Sequence, residues 1–407
     1  MFNVLYGLNK VKFSLLLFFF FFLFQAVFYF VQLSVFEKTL VGPRQFKYIL
    51  GFLLIFVCMY FTFKFLLGVS VSKVGLKALF VYYIYIFQSL FVILLFNNSI
   101  DPFLYNYSLT LFLYFIIIFM YTVNGGIFLN MSRSVPIYPI FFLITLIALF
   151  EFFRQENVFF SVKPFLSDIP SIKFDHINGY IRLNSIFKSP IDYSLINAIF
   201  SGFFLALFSI DKNKKWLMVW FLMSLCQFLI LVRSGIVCWF FVNLICCWCY
   251  FPKKRLFFLS LSLFFVPVLF LINIFISILD PTNLFHRLNN WLDLINRLNS
   301  SDYLVNLFGM GIVQNGSFGE RNSIVIDNLY IGVLLCSGYI GLFLFLSSMF
   351  YLYKVLYIEG DKLAMWKRAT IVGFLLAGLF ENSMHNLYIM MLPAFFYIYN
   401  KSFRKTL

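Results

Sequence analysis

Five arginines are the residues of this sequence most able to bind an anionic group. A guanidinium group donates hydrogen bonds in a planar fork and keeps its charge in a partly dry site, so it can bind phosphate with two donors at once. The plainer explanation is an arginine that reaches from an apolar surface to water or to a lipid headgroup. The five arginines, which together suit a ligand that carries phosphate groups, are Arg182, Arg233, Arg287, Arg297 and Arg321.

Arg233 is the hardest of the five to explain as a surface residue. It lies in Leu-Val-Arg-Ser-Gly, residues 231–235, between two apolar runs with almost no loop to carry its charge into water. We therefore predict a functional role for Arg233. For Arg287, Arg297 and Arg321, each taken singly, we favour the plainer explanation, an interfacial or headgroup contact.

Asp327 and Glu381 are the candidates for a catalytic acid or base. Asp327 stands in Asp-Asn-Leu-Tyr at the head of an apolar run, where a carboxylate could accept a hydroxyl proton or could cap a helix. Glu381 interrupts an apolar region, and a charge at membrane depth costs about 2.5–3.5 kcal/mol on insertion scales. It needs a partner, so it belongs either to a structural ion pair with an arginine or to an active site. Glu151 is open to the same two interpretations.

Motifs for nucleotide or metal chemistry are missing from the sequence. It contains no Walker loop, no Asp-x-Asp, no His-Glu-x-x-His and no Gly-x-Ser-x-Gly. The seven cysteines all fall inside apolar runs, where they are typical of small buried hydrophobic residues and not of disulfides or metal ligands. We expect neither a metal nor a cofactor.

The elements that must position these residues are membrane spans. Of the 407 residues, 62% are hydrophobic and 12% are charged, with a mean hydropathy of +0.93. A soluble domain has roughly half apolar and a quarter charged residues, so a membrane accounts for the difference. The formal net charge of +15 would suggest nucleic acid in a soluble protein. Here the cations lie mostly in short loops between apolar runs, where they set topology, and we expect no nucleic-acid partner.

Apolar runs of spanning length predict an all-α integral membrane protein of about twelve transmembrane helices. The last two runs are the least regular, because Glu381, Asn382 and His385 interrupt them. The predicted spans are 13–33, 48–68, 77–96, 108–127, 136–153, 192–210, 216–232, 235–251, 256–279, 328–352, 369–381 and 384–400.

The short loops also predict the orientation of the chain. Clusters such as Lys253, Lys254 and Arg255 fall on one side of the membrane, which makes that side cytoplasmic together with both termini. Residues 1–407 then form a single polytopic domain with two large extracytoplasmic loops, 154–191 and 280–326. We expect these loops to hold the working site.

The second loop contains a predicted amphipathic helix from Leu284 to Leu298. Such a helix would lie at the membrane surface or pack across the mouth of the bundle. Its predicted apolar face is Leu284, Leu288, Trp291, Leu292, Ile295 and Leu298, and its predicted polar stripe is Arg287, Asn290, Asp293 and Arg297.

At these residues the sequence resembles the bacterial O-antigen polymerases (Wzy), within the wider O-antigen ligase and polymerase superfamily. The resemblance covers the chain in topology and about residues 182–345 in motifs. It is carried by Arg-x-x-Ser-x-Phe-x-x-Pro from Arg182, by Arg-Ser-Gly from Arg233, and by the arginine-bearing loop that leads to Phe-Gly-Met-Gly. Its strongest part is Asp-Asn-Leu-Tyr from Asp327, followed by Gly-Tyr-Ile-Gly from Gly338, whose glycines we expect to allow close helix packing.

The resemblance implies a GT-C-like membrane enzyme of the bacterial inner membrane that joins undecaprenyl-pyrophosphate-linked oligosaccharide repeats on the periplasmic side. It also implies a chain-length regulator protein as a possible partner. Arg182, Arg233 and Arg287 would bind pyrophosphate, with Arg297 and Arg321 as further candidates. Asp327 would be the base, with Glu381 as the other candidate. Charge neutralisation by arginines would replace a metal, because diphosphate is already a good leaving group.

Two departures from the family pattern bear on the assignment. Ligases of the superfamily have His before the Asn, where this chain has Asp327, so the sequence favours a polymerase over a ligase. The position that is usually Gly after Arg182 is Ser185. A lipid-linked oligosaccharide flippase is the alternative of another class, although the asymmetric loops do not resemble the repeated halves of transporters.

Overall fold

The computed structural model describes residues 73–97, 137–156, 176–177, 180–185, 187, 190–253, 281–311, 326, 328–357 and 362–381. Their secondary structure is helical, apart from the antiparallel two-residue strands β1 (His176–Ile177) and β2 (Tyr180–Ile181). The predicted helical class is therefore confirmed for these residues. The helices are α1 (Lys73–Asn97), α2 (Ile137–Arg154), α3 (Pro190–Asp211), α4 (Lys214–Leu229), α5 (Arg233–Tyr250), α6 (Pro281–Asn299), α7 (Tyr303–Phe308), α8 (Leu329–Val355) and α9 (Ala364–Ala377).

Three of the described helices, α3, α5 and α8, are long and apolar enough to cross a membrane. A shorter apolar stretch, Phe80–Ile93, lies in α1. Large apolar side chains on these helices point away from the protein, including Phe87 at 61% exposure and Phe343 at 70%. Water would not favour so much exposed apolar surface, whereas lipid tails would. The described part of the chain is thus a membrane-embedded helical protein.

The predicted spans that fall in described residues coincide with helices. Those at 77–96, 136–153, 192–210, 216–232, 235–251 and 328–352 match α1 to α5 and α8 to within a few residues. The predicted spans 13–33, 48–68, 108–127, 256–279 and 384–400 lie outside the described residues.

The span predicted at 369–381 differs from the helix found there. Helix α9 begins five residues earlier, at Ala364, and ends at Ala377. The prediction stopped short of Lys367 and Arg368 because both are charged. In the structure Lys367 is fully buried, and the Arg368 guanidinium lies over the rings of Tyr353 and Tyr357, 4.5 and 4.1 Å from their centroids.

Helices α3, α5 and α9 pack closely around a buried aromatic side chain. The Trp366 ring lies 4.7 Å from the Phe203 ring, and its Nε1 donates to the carbonyl of Ile199 at 2.8 Å. Gly202 and Gly373 let α3 and α9 approach α5, because a methyl group at either position would collide with Val242. Small residues at helix contacts are typical of membrane bundles.

Buried hydrogen bonds tie α3, α4 and α5 together within this apolar core. The Asn243 side chain accepts from Trp220 Nε1 at 2.8 Å and donates to Ser201 at 3.0 Å. Near the first residues of α5, Gln227 of α4 donates to Ser194 of α3 at 3.1 Å. A polar group that is buried in a membrane bundle is stabilised by such a partner on a neighbouring helix.

Helix α9 runs antiparallel to α5 and α8. The amide of Trp366, in its first turn, donates to the hydroxyl of Tyr250, the last residue of α5. The carbonyl of Gly378, just past its end, accepts from the amide of Leu329, the first residue of α8. With the short α3–α4 and α4–α5 connections, this places the starts of α3, α5 and α8 and the ends of α4 and α9 at one end of the bundle. We call it the arginine end.

Candidate functional site

Four of the predicted site residues lie at the arginine end. Arg182 directly follows β2 in the segment that leads into α3, and Arg233 is the first residue of α5. Arg287 belongs to α6, and Glu381 follows the end of α9. Arg297 is exposed in the last turn of α6, farther along that helix. Asp327 and Arg321 lie outside the described residues, so the structure places neither the proposed base nor the fifth arginine.

The segment after Arg182 is a buried turn held by α2. Leu183, Asn184 and Ser185 are fully buried, and the amides of Asn184 and Ser185 donate to the Glu151 carboxylate at 3.1 and 2.8 Å. Ser185 has φ 51°, in the left-handed region that favours glycine. Its hydroxyl also donates to the carbonyl of Ile144 at 2.8 Å. The position that is usually Gly in the family pattern thus has the backbone conformation that glycine adopts most easily.

Arg233 enters the bundle through a tight connection. Leu231 has φ 62°, which turns the chain sharply enough for α5 to start four residues after α4 ends. Gly235 packs so closely on Ser194 of α3 that a side chain there would overlap it. These contacts fix the start of α5, and Arg233 is half-buried there. The positive end of the helix dipole adds to its charge in favouring an anion.

The ends of α9, α8 and α6 meet in a set of hydrogen bonds to backbone carbonyls. The last carbonyls of a helix have no partner inside it, and here donors from α8 and α6 supply the missing bonds. Asn328 also caps α8, since its Oδ1 accepts from the amides of Tyr330 and Ile331. The four bonds are Tyr330 hydroxyl to Leu375 at 2.7 Å, Leu329 amide to Gly378 at 2.7 Å, Asn328 Nδ2 to Leu379 at 3.1 Å and Arg287 Nη1 to Phe380 at 3.2 Å.

This junction brings Arg287 close to Glu381, because the carbonyl that Arg287 contacts belongs to the preceding residue. It also fixes Asn328, the neighbour of Asp327 in the chain. A cation at a helix C-terminus is stabilised by the helix dipole. Part of the Arg287 guanidinium therefore has a structural role at the end of α9, which the sequence pattern did not indicate.

Helix α8 breaks at Gly338, and the Phe-Gly-Met-Gly motif lies against the break. Gly338 has φ 66° and ψ −169°, so the carbonyls just before it lose their partners one turn ahead. The amides of Met310 and Gly311 donate to the carbonyls of Leu335 and Cys336 at 2.8 and 3.2 Å. The side chain of Gln88, on α1, donates to the next carbonyl, that of Ser337, at 2.6 Å. The Phe-Gly-Met-Gly segment thus supplies hydrogen-bond donors to the carbonyls at the helix break. The glycine motifs therefore do more than allow the close packing expected of them.

Helix α6 packs along the first turns of α8 instead of lying across the bundle mouth. Leu294 and Leu298 are buried against Ile331, Leu334 and Leu335. The Tyr339 hydroxyl donates to Asn299 at the far end of α6, at 3.2 Å. This face differs from the predicted one, since Leu288 and Leu292 are exposed, whereas Leu294 was not predicted to be buried. The reason is that α8 covers only one side of a broad apolar stripe.

The described residues contain no group of three or more His, Cys, Asp or Glu placed to hold a metal ion. Their cysteines are all free, and Cys249 is the exposed one among them. Similarity to known proteins adds nothing to the site. No protein-family model matches the chain, and neither a curated protein nor a solved structure matches it.

Proposed function

We propose that the chain is an O-antigen polymerase that acts on lipid-pyrophosphate-linked oligosaccharides. One observation carries the proposal: two arginine-bearing segments, around Arg182 and Arg233, are separately fixed by buried contacts at the same end of an apolar bundle. Fixed arginines at a membrane boundary suit a ligand with a pyrophosphate head and an apolar tail. The resemblance of the same segments to the polymerase family supports the choice of reaction.

The reaction requires from the protein mainly positive charge at the pyrophosphate and correct placement of the reacting groups. The acceptor hydroxyl of the incoming repeat attacks the anomeric carbon of the carrier-linked sugar, and the bond to the pyrophosphate oxygen breaks. The hydroxyl proton goes to a base, for which Asp327 and Glu381 are the candidates. Undecaprenyl pyrophosphate leaves with its negative charge neutralised by Arg182, Arg233 and Arg287. Three helix N-termini at the arginine end, those of α3, α5 and α8, favour the same anion.

The proposal includes the setting of the reaction. The chain would cross the bacterial inner membrane about twelve times in a GT-C-like arrangement, with both termini in the cytoplasm. The arginine end and the loops 154–191 and 280–326 would face the periplasm. A chain-length regulator protein is the proposed protein partner, and the lipid-linked repeat is both donor and acceptor.

A lipid-linked oligosaccharide flippase is the second candidate, and the break of α8 is the observation in its favour. Discontinuous helices are typical of transporters, where unwound carbonyls bind the cargo or its coupling ion. In this chain the carbonyls of Leu335, Cys336 and Ser337 already accept hydrogen bonds from protein donors. The protein thus satisfies them without a cargo or a coupling ion, and we place the flippase second.

A cell that lacks this gene tests the proposal. A polymerase acts after the repeat crosses the membrane and before it is transferred to the lipopolysaccharide core. We expect gels of lipopolysaccharide to show core plus a single repeat and no ladder, with the ladder restored by the wild-type gene.

The two alternatives predict different products in the same extraction. Loss of a ligase leaves bare core with long polymer on the lipid carrier. Loss of a flippase leaves bare core with single repeats on the carrier, facing the cytoplasm. Bare core with long carrier-linked polymer would overturn the polymerase proposal and would show that a chain with Asp327 in the usual place of His can act as a ligase.

A further inference from the structure

Glu151 is a fully buried carboxylate that the proposed mechanism does not use. It lies one turn before the end of α2, at the arginine end. A single oxygen, Oε2, accepts from two consecutive backbone amides, those of Asn184 and Ser185, at 3.1 and 2.8 Å. Hydrogen bonds to an ionised acceptor are roughly twice as strong as those between neutral groups. The contact therefore joins α2 firmly to the turn that carries Arg182.

Helix α2 and the residue just past its end supply the other contacts of this turn. Ile144 and Glu151 are spaced by seven residues, which places them on one side of the helix, and Gln155 follows the helix end with φ 55°. The carbonyl of Ile144 accepts from the Ser185 hydroxyl at 2.8 Å, and Gln155 Oε1 accepts from the Ile181 amide at 3.0 Å. Together with the two Glu151 bonds, these contacts hold the turn at both of its ends.

We propose that Glu151 is a positioning residue that fixes the turn of residues 182–185, the Arg182 turn, and through it the Arg182 guanidinium. The effect of Glu151 on pyrophosphate binding rests on the proposed function, whereas its contact with the turn does not. Glu151 had been open to two interpretations, a structural ion pair or an active-site acid. Its contacts add a further role, in which the carboxylate binds backbone amides.

The geometry explains why a carboxylate is needed at this position. Two N–H groups of buried residues donate to one oxygen atom, and both would lose that acceptor if the oxygen moved away. Ser185 adds strain, because a non-glycine residue at positive φ persists only where its surroundings enforce it. The Tyr193 ring stacks on Phe187, with 5.6 Å between the ring centroids, and adds an aromatic contact between the end of this segment and α3.

Hydrogen exchange of the purified full-length protein tests the hold on the turn. In the Glu151→Gln variant we expect the amides of Asn184, Ser185 and Phe187 to exchange about tenfold faster, because the charged acceptor is lost. Glu156→Gln is the matched control, since it removes the same charge from an exposed position at the same helix end. It should leave the exchange unchanged. Exchange in α3 and α5 reports whether each variant is folded.

Glu151→Asp keeps the charge and serves as the second variant if Glu151→Gln does not accumulate. Its shorter side chain reaches less far, so we expect exchange between those of the wild type and the Gln variant. Equal exchange of the turn in wild type and either folded variant would overturn the proposal, whatever the enzyme does.

Binding of geranylgeranyl pyrophosphate, a carrier analogue without sugar, tests the route through Arg182. We expect Arg182→Ala and Glu151→Gln each to weaken binding about tenfold, and the double variant to bind no more weakly than Arg182→Ala. Glu156→Gln should bind within twofold of wild type. If Glu151→Gln instead weakened binding by a structural effect independent of Arg182, the two losses of affinity would multiply in the double variant. That result would overturn the action of Glu151 through Arg182.

The two proposals fail in different ways in these experiments. If Arg182→Ala binds the probe as well as wild type while Glu151→Gln opens the turn, the pyrophosphate role of Arg182 is wrong and Glu151 still holds the turn. If the turn stays closed in Glu151→Gln while Arg182→Ala loses binding, Arg182 keeps its role and the positioning role of Glu151 is wrong.

Discussion

The Asn328 side chain joins two helices by using both ends of its amide, with Nδ2 donating to the carbonyl of Leu379 at 3.1 Å. Its Oδ1 accepts from the amides of Tyr330 and Ile331 and so caps the start of α8. One residue therefore satisfies the orphan amides of α8 and an orphan carbonyl at the end of α9. It also fixes the chain beside Asp327 against the chain beside Glu381, the two candidate bases.

Asn328→Asp separates the two uses of this amide. Asp caps a helix as well as Asn does, but it has no donor for the Leu379 carbonyl and places a second acceptor against it. We expect the variant to lose about 1–3 kcal/mol of stability, measured by thermal unfolding in detergent.

The exposed Asn213 provides the control for this substitution. Its Oδ1 accepts from the Lys215 amide at 3.1 Å as the cap of α4. Because Asp can make the same bond, Asn213→Asp should change stability by less than about 0.5 kcal/mol. Equal stability of Asn328→Asp and Asn213→Asp would mean that the bond to Leu379 contributes nothing.

Gly338→Ala should be among the most damaging substitutions in the described part of the chain. A methyl group at Gly338 would overlap the carbonyl of Leu307, and its φ of 66° is costly for alanine. We expect a loss of more than about 3 kcal/mol or failure to accumulate in the membrane. Ser347→Ala, on the same helix and half-exposed, is the control and should accumulate normally. Normal accumulation of Gly338→Ala would show that the break can straighten.

The positions of the described spans were predictable because an apolar run long enough to cross a membrane seldom forms anything other than a membrane-spanning helix. The match of 192–210 to α3 and of 328–352 to α8 follows from that single property. The start of α9 was not predictable in this way. It depends on tertiary contacts that accept Lys367 and Arg368, namely burial for one and aromatic rings for the other.

The candidate site was predictable in its residue types but only partly in its contacts. Charge and position drew attention to Arg182, Arg233 and Arg287, and the structure places them at one end of the bundle. The hydrogen bond from Arg287 to the carbonyl of Phe380 could not be predicted, because every residue has a backbone carbonyl and the sequence does not show which one becomes a partner. The same holds for Glu151, whose partners are amides that every residue except proline carries.

Arg233→Lys should reduce polymer formation nearly as much as Arg233→Ala. A lysine supplies the charge but not the planar fork that binds two phosphate oxygens at once. We expect the lipopolysaccharide ladder to be lost or strongly shortened in both variants, with protein in the membrane at the wild-type level. A full ladder with Arg233→Lys would reduce Arg233 to a structural or headgroup contact.

Two single cysteines at opposite ends of the bundle test the proposed orientation. Glu156 is exposed just past the end of α2, at the arginine end, and Lys214 is exposed at the start of α4. In a background with the exposed Cys249 changed to Ser, an impermeant maleimide applied to the periplasm should label Glu156→Cys and not Lys214→Cys. The unsubstituted background gives the baseline. The reverse pattern would place the arginine end in the cytoplasm and remove the periplasmic mechanism.

Asp327→Asn should abolish or sharply reduce polymer formation while the protein still inserts and folds. Asn has nearly the same size and shape but cannot accept the acceptor hydroxyl's proton as a carboxylate does. Glu381→Gln makes the same change at the other candidate base, so the pair of variants compares the two carboxyl groups directly. We expect the ladder to vanish with Asp327→Asn and to persist with Glu381→Gln at equal protein levels. The opposite result would remove Asp327 from the mechanism and make Glu381, next to the carbonyl that Arg287 contacts, the base.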